Sequence, residues 1–232
     1  MELISETDMS QPRTPSDLAN WVAERCEALG ASKDSRIYGR SNKPMPKKFW
    51  EEVRPFSTYS SSRYGDRQDV ICTPNLGNDN YDASIEIAAG DPCRHLVEVT
   101  YAKDGYDERL RLDALNSHGS VNALGHIDVL GTKASGTRTV KIANEAVNRE
   151  SVIGRGLDLV KARIREKCEM PYTEDYILLV VVDDGLVFKY REDRTLLEKI
   201  CSKLCRALKP IFSEIALVGE SGTYVAAVHK KI

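Results

Sequence analysis

Several familiar signatures of catalysis are missing from this sequence. No CxxC pair occurs among its six cysteines, Cys26, Cys72, Cys93, Cys168, Cys201 and Cys205. Cys201 and Cys205 stand one helical turn apart, but with no histidine or further cysteine beside them they make a poor zinc half-site. Free thiols buried in a cytosolic protein are the reading left. The four histidines, His95, His118, His126 and His229, form no HxH or HxxxH pattern, and no serine sits in a G-x-S-x-G elbow. Zinc-hydrolase and serine-hydrolase chemistry therefore have no anchor. His126 is the histidine best placed to face a pocket, although a surface or core position is the ordinary outcome.

Long hydrophobic runs are missing too. The longest, Ile177 to Val182, falls far short of the roughly 20 apolar residues that cross a bilayer. The opening MELISETDMSQPRTPSD is acidic and polar, unlike a signal peptide. These features predict a cytoplasmic chain with no membrane partner. There is no excess of positive charge, since 33 Lys and Arg against 35 Asp and Glu give a net charge of −2. That balance argues against a protein coated for nonspecific nucleic-acid binding, while leaving room for a local basic stripe. With 232 residues, 41% of them hydrophobic, the chain can bury the core of one ordinary domain.

What the sequence does contain is concentrated in Tyr81 to Lys103, YDASIEIAAGDPCRHLVEVTYAK. Two runs of alternating apolar residues flank Ala88 to Arg94, whose Gly90 and Pro92 predict the turn of a β-hairpin. Asp82 opens the first run and Glu98 lies in the second. Antiparallel pairing would bring the two acids to neighbouring positions, where a pair of carboxylates can hold a hard cation such as magnesium or manganese. The bland alternative is a strand-initial cap at Asp82 and a salt-bridged strand acid at Glu98.

The later part of the chain predicts a helix over Gly156 to Glu169, with Leu157, Val160, Ile164 and Cys168 at helical spacing, stopped by Met170-Pro171. Tyr176 to Val182 then reads as a strand covered on both faces. A helix over Arg194 to Leu208 and a closing strand pair, Glu214 to Val218 with Tyr224 to Val228, follow. Upstream, Asp17 to Leu29 predicts a helix capped by Ser16 and closed by Gly30, and Met1 to Pro15 a disordered tail. Ser32 to Asn80 suggests long loops with a short helix at Pro46 to Val53. A helix at Asp107 to Asn116, and a strand pair of His126 to Leu130 with Arg138 to Ile142 turning through Gly131 to Gly136, would form an elaboration.

Asp82, the Glu98-Val99-Thr100 tripeptide and the separation of 16 between the acids (98 − 82) resemble the PD-(D/E)XK nuclease superfamily, with its restriction-endonuclease-like fold. The helix, Lys167, Tyr172 and hydrophobic strand that follow match the order seen in many of its members. The resemblance spans about Asp82 to Val228. It implies a mixed α/β domain over residues 16–232 with a central mixed sheet flanked by helices, and a magnesium-dependent nuclease acting on DNA. Asp82, Glu98 and the Val99 carbonyl would hold the metal. Thr100 stands where the family usually has lysine, and its hydroxyl can bond a water but carries no charge. Lys103 could reach back, although it is out of phase with Glu98 and Thr100 on a pleated strand. Some members add a glutamate from the first helix, for which Glu24 is the candidate. The competing expectation is an inactive module that binds nucleic acid or a protein partner, with a homodimer also open.

Two basic clusters could meet a polyanion. Lys43, Lys47, Lys48 and Arg54 surround Phe49 and Trp50, and Arg155, Lys161 and Arg165 lie on the predicted later helix. Such runs are ordinarily a solvated face. Arg155 gains weight if it sits at the helix N-terminus, where backbone N–H groups favour phosphate. Gly154-Arg155-Gly156 lacks the preceding strand of a dinucleotide-binding loop.

Overall fold

The apolar run Tyr176–Val182 (β6) is buried along its whole length, as a strand flanked and covered on both faces must be. The computed structural model describes residues 3–41, 43–131, 139–143 and 146–231. In it β6 lies inside a six-stranded mixed sheet of order β1-β2-β3-β6-β7-β8, formed by Val70–Pro74 (β1), Ala83–Ile87 (β2), Cys93–Tyr101 (β3), β6, Glu214–Gly219 (β7) and Val225–Lys230 (β8). β2 and β3 form the expected antiparallel hairpin; β3, β6 and β7 run parallel, and β8 returns antiparallel to β7. The architecture is mixed α/β, with helices flanking the sheet.

By its internal contacts the chain divides into two compact units. Met1–Ala102 with Val160–Ile232 form the first and Lys103–Leu159 the second. The second unit holds the segment expected as an elaboration, inserted between β3 and the later helix. The inserted unit contains the helix Gly105–His118, closed by left-handed Gly119, and a separate antiparallel pair, Ile127–Leu130 with Thr139–Ile142. Residues 132–138 of the expected turn lie outside the described residues. His126 is exposed there, 3.2 Å from Asp128.

Two expectations for the N-terminal third are corrected. Described residues of the predicted disordered tail are ordered in the core: Glu6–Met9 is a helical turn (α1), and Ile4 and Met9 are buried. Arg13 explains much of this. Its guanidinium pairs with Asp8 at 2.8 Å, lies 4.5 Å from the Trp21 ring centroid, and its backbone bridges to Cys72 at the sheet edge. The next helix is Pro15–Gly30 (α2), and its N-cap is Thr14 rather than Ser16, with proline in the first turn where a missing N–H costs nothing.

The stretch read as loops is mostly helical. After Lys33–Gly39 (α3), a continuous rod runs through Pro44–Lys48 (α4), a π-helical turn at Phe49–Val53 and Arg54–Tyr64 (α5). Its serines and prolines hide the pattern, but Phe49, Val53, Phe56 and Tyr59 are buried and pack with Val97, Ile177, Leu179, Ala216 and Val218 of the sheet. Burial of that stripe outweighs the weak intrinsic propensity. On the other side, the helix Arg149–Cys168 (α7, counting Gly105–His118 as α6) buries Val160 and Ile164, and Arg191–Leu208 (α8) buries Leu197, Cys201 and Cys205. All six thiols are free; Cys72, Cys201 and Cys205 are buried as expected, whereas Cys93 is exposed.

Candidate functional site

Asp82 sits immediately before β2. The ladder of the hairpin ends at the Ala83↔Val97 pair, and the Asp82 N–H also donates to the Val97 carbonyl, at 2.8 Å, so two residues of one strand face one of the other, as in a β-bulge. A polar loop fixes the approach. The Asn75 side chain bonds the Gly77 N–H and the Tyr81 carbonyl, its backbone N–H donates to the Asp82 carbonyl at 2.8 Å, and Lys48 Nζ donates to the Leu76 carbonyl at 3.0 Å. Asp82 Oδ2 then accepts the Val99 N–H at 2.7 Å. Burial pushes the Asp82 carboxyl up to about 6. The Val99 N–H works against that rise, the Glu98 charge adds to it, and Lys167 and Lys48 lower it.

Glu98 is held by a lysine that the tripeptide does not contain. Lys167 Nζ lies 2.5 Å from Glu98 Oε1, with side chains only 16% and 12% exposed, and it is 3.5 Å from the Tyr172 hydroxyl. Lys167 follows Ile164 by three residues and so shares the buried face of α7. Burial alone would lower its pKa, but the hydrogen bond and charge of Glu98 prevail and hold it above the ordinary lysine value. The Tyr172 ring packs 4.9 Å from Tyr176 and 5.0 Å from Phe212, which seats its hydroxyl. Arg163, one turn before Lys167, donates to the Tyr101 carbonyl and ties α7 to the end of β3.

A third acid comes from the π-helical turn. Glu52 Oε2 is 4.0 Å from Lys48 Nζ, too far for a hydrogen bond, and is buried without a hydrogen-bond partner among the described residues. Burial, with the charge of Asp82 next, pushes its carboxyl up to about 7 against the pull of Lys48. Glu24, the candidate on the first helix, is exposed and lies 3.8 Å from Arg25. The signal for Glu52 was present in the sequence: it falls in phase with Phe49, Val53 and Phe56, a carboxylate inside an apolar stripe.

The remaining candidates separate. Thr100 alternates in step with Glu98 along β3 and is half-buried. Lys103 belongs to the inserted unit, where its ammonium lies 3.7 Å from Glu108. Arg155 is the seventh residue of α7 rather than part of its N-terminus, and it is exposed. At roughly 100° per residue, Lys161 is about 120° round the helix from Arg155 and about 40° from Arg165, so the three do not form one stripe. The helix begins seven residues before the predicted Gly156, and Gly154 and Gly156 are helix-interior residues.

Carboxylate oxygens such as those of Asp82, Glu98 and Glu52 are the donor type that a hard divalent cation takes, and here Lys167 pairs with Glu98 while Lys48 Nζ lies 4.0 Å from Glu52. No group of three or more His, Cys, Asp or Glu side chains forms a ready-made metal cage among the described residues, and no helix of them is long and apolar enough to cross a membrane. The chain matches no family model, no curated protein and no solved structure.

Proposed function

We propose that this protein is a magnesium- or manganese-dependent nuclease that hydrolyses phosphodiester bonds in DNA on a restriction-endonuclease-like fold. The observation that carries the reading is the Asp82 carboxylate bonded to the Val99 N–H, next in the chain to Glu98 with its partly buried Lys167 partner. Asp82, Glu98 and the Val99 carbonyl would hold the cation, with water completing a shell of the kind magnesium keeps. Bound there, the cation would supply charge for the phosphate and acidify a water.

The chain's own groups have separate tasks. Lys167 takes the part of the motif lysine absent at Thr100, placing a fixed ammonium beside the acid, where it can neutralise charge developing on a phosphate oxygen. Tyr172 keeps that ammonium from swinging away. The Thr100 hydroxyl can orient a water by hydrogen bonding. We assign the amine role to Lys167 in place of Lys103, whose ammonium pairs with Glu108.

Purified protein given magnesium or manganese should nick plasmid DNA, and Glu98→Gln, which removes an anionic ligand, should abolish the activity. Lys167→Met should lower the rate by about 10²-fold or more. A second reading, a non-catalytic module that binds nucleic acid or a protein, is favoured by one fact: Lys167 already neutralises Glu98. A wild type as inert as Glu98→Gln would establish that reading instead.

A further inference from the structure

We infer that Tyr101 is a positioning residue for Glu52, acting through the backbone carbonyl of Trp50. For its chemical consequence the inference rests on the nuclease reading above. It starts from Pro55. Within the π-helical turn the Arg54 N–H reaches back five residues to the Phe49 carbonyl. The next carbonyl, that of Trp50, would need the N–H of residue 55, and proline has none. A half-buried carbonyl without a donor is costly. The Tyr101 hydroxyl supplies the donor, at 2.7 Å.

This contact links the strand that carries Glu98 to the turn that carries Glu52. Tyr101 is the last residue of β3, three after Glu98, and alternation along the strand puts it on the opposite face. One strand therefore presents Glu98 on one face and with the other fixes the turn that carries Glu52. A π turn adds a residue to the helical circuit, which rotates side chains before it by roughly 100° relative to those after it. Relaxation to regular α-helix would swing Glu52 away from its present direction while Phe56 and Tyr59 remained anchored in the core. Glu52 Oε2 is buried with no hydrogen bond and only a 4.0 Å contact to Lys48 Nζ, so the turn has a large share in setting where the carboxylate lies.

The test uses the full chain. Tyr101→Phe keeps the ring and removes only the hydroxyl donor, and Pro55→Ala offers Trp50 a replacement N–H. In free protein at fixed pH, the side-chain carboxyl ¹³C resonance of Glu52 should move in Tyr101→Phe and return toward its wild-type position in Tyr101→Phe/Pro55→Ala. An unmoved resonance in a folded Tyr101→Phe variant overturns the inference, as does a shift that Pro55→Ala fails to reverse. Manganese titration followed by electron paramagnetic resonance gives the functional arm. Tyr101→Phe should weaken binding about tenfold, as loss of an outer-shell support does, and should add nothing to the loss in Glu52→Gln. Additive losses would mean that Tyr101 acts by another route. If the wild type binds no manganese, the nuclease reading falls, and the ¹³C measurement still decides whether Tyr101 sets Glu52.

Discussion

β3 and β6 are neighbours paired residue by residue, with Glu98 beside Leu178 and Thr100 beside Val180, yet one strand holds the candidate chemistry and the other none. β6 is apolar and buried throughout, so its only demand is shape. β3 alternates: Val97 and Val99 join the core beneath α2 and α5, while Glu98 and Thr100 face the side of the sheet where Lys167 lies. The difference teaches that a charge can sit beside the most buried strand of this sheet when a second element delivers its counter-charge. Here α7 does so for Glu98, while the π turn leaves Glu52 without full compensation.

The largest effect should come from breaking the inert side of the comparison. Leu179→Ala removes a fully buried side chain and should cost about 3 kcal/mol in urea-induced unfolding, by lost transfer energy and the cavity left behind. A loss under 1 kcal/mol would mean that β6 is not the packed centre of the sheet.

Next comes the charged side. Lys167→Met leaves Glu98 in a confined site without its partner and should destabilise by about 2 to 3 kcal/mol, whereas Glu98→Gln combined with Lys167→Met should recover most of that loss. The measurement is a double-mutant cycle on unfolding midpoints, and simple additivity would count against the pair. In the single Lys167→Met variant the Asp82 carboxyl should rise further, since Lys167 is one of the groups that lower it.

A smaller effect sharpens the contrast between Glu98 and Glu52. The Glu52 carboxyl is pushed up to about 7 from an ordinary 4.5, so between those values the folded chain holds a proton that the unfolded chain releases. Stability from this group is therefore greatest below the unfolded value and falls as pH rises through 7. Glu52→Gln should match wild type near pH 5 and exceed it at pH 8 by about 1 kcal/mol after allowance for solvent screening, a rise of roughly 2 to 4 °C in Tm. A variant less stable than wild type at pH 8 would show that the carboxylate is compensated after all.

The smallest effect concerns α7 outside the site. Arg155→Ala should leave stability within about 0.5 kcal/mol and should not alter the salt dependence of duplex binding. Arg165→Ala should reduce that slope by about one unit if its guanidinium meets a phosphate. Equal slopes for the two variants would remove Arg165 from the interface.

How much was legible follows from the period of each segment. Tyr176–Val182 matches its predicted strand residue for residue, and the β2–β3 hairpin follows from its alternation and its Gly90 and Pro92 turn, because these patterns are local. Of the Pro44–Tyr64 rod only the short helix at Pro46 to Val53 was legible. Ser60, Ser61, Ser62 and the prolines weaken its helical signal, and only packing of Phe49, Phe56 and Tyr59 on the sheet makes the helix favourable. The N-terminal segment failed likewise, since Arg13 finds Asp8, Trp21 and Cys72 only in the folded chain.

Sequence alone marked the hairpin whose strands carry Asp82 at the start of one and Glu98 within the other, since a short turn and a period of two are local features. It also placed Lys167 and Glu52 in phase with apolar stripes, which marks each as a charge drawn toward the interior. Tertiary structure decided what each would meet there. The parallel crossover lays α7 against the sheet and gives Lys167 to Glu98, while the donor missing at Pro55 leaves the Trp50 carbonyl to Tyr101, 51 residues away in the chain. Such pairings rest on contacts between distant segments, and their partners are chosen when the whole core closes.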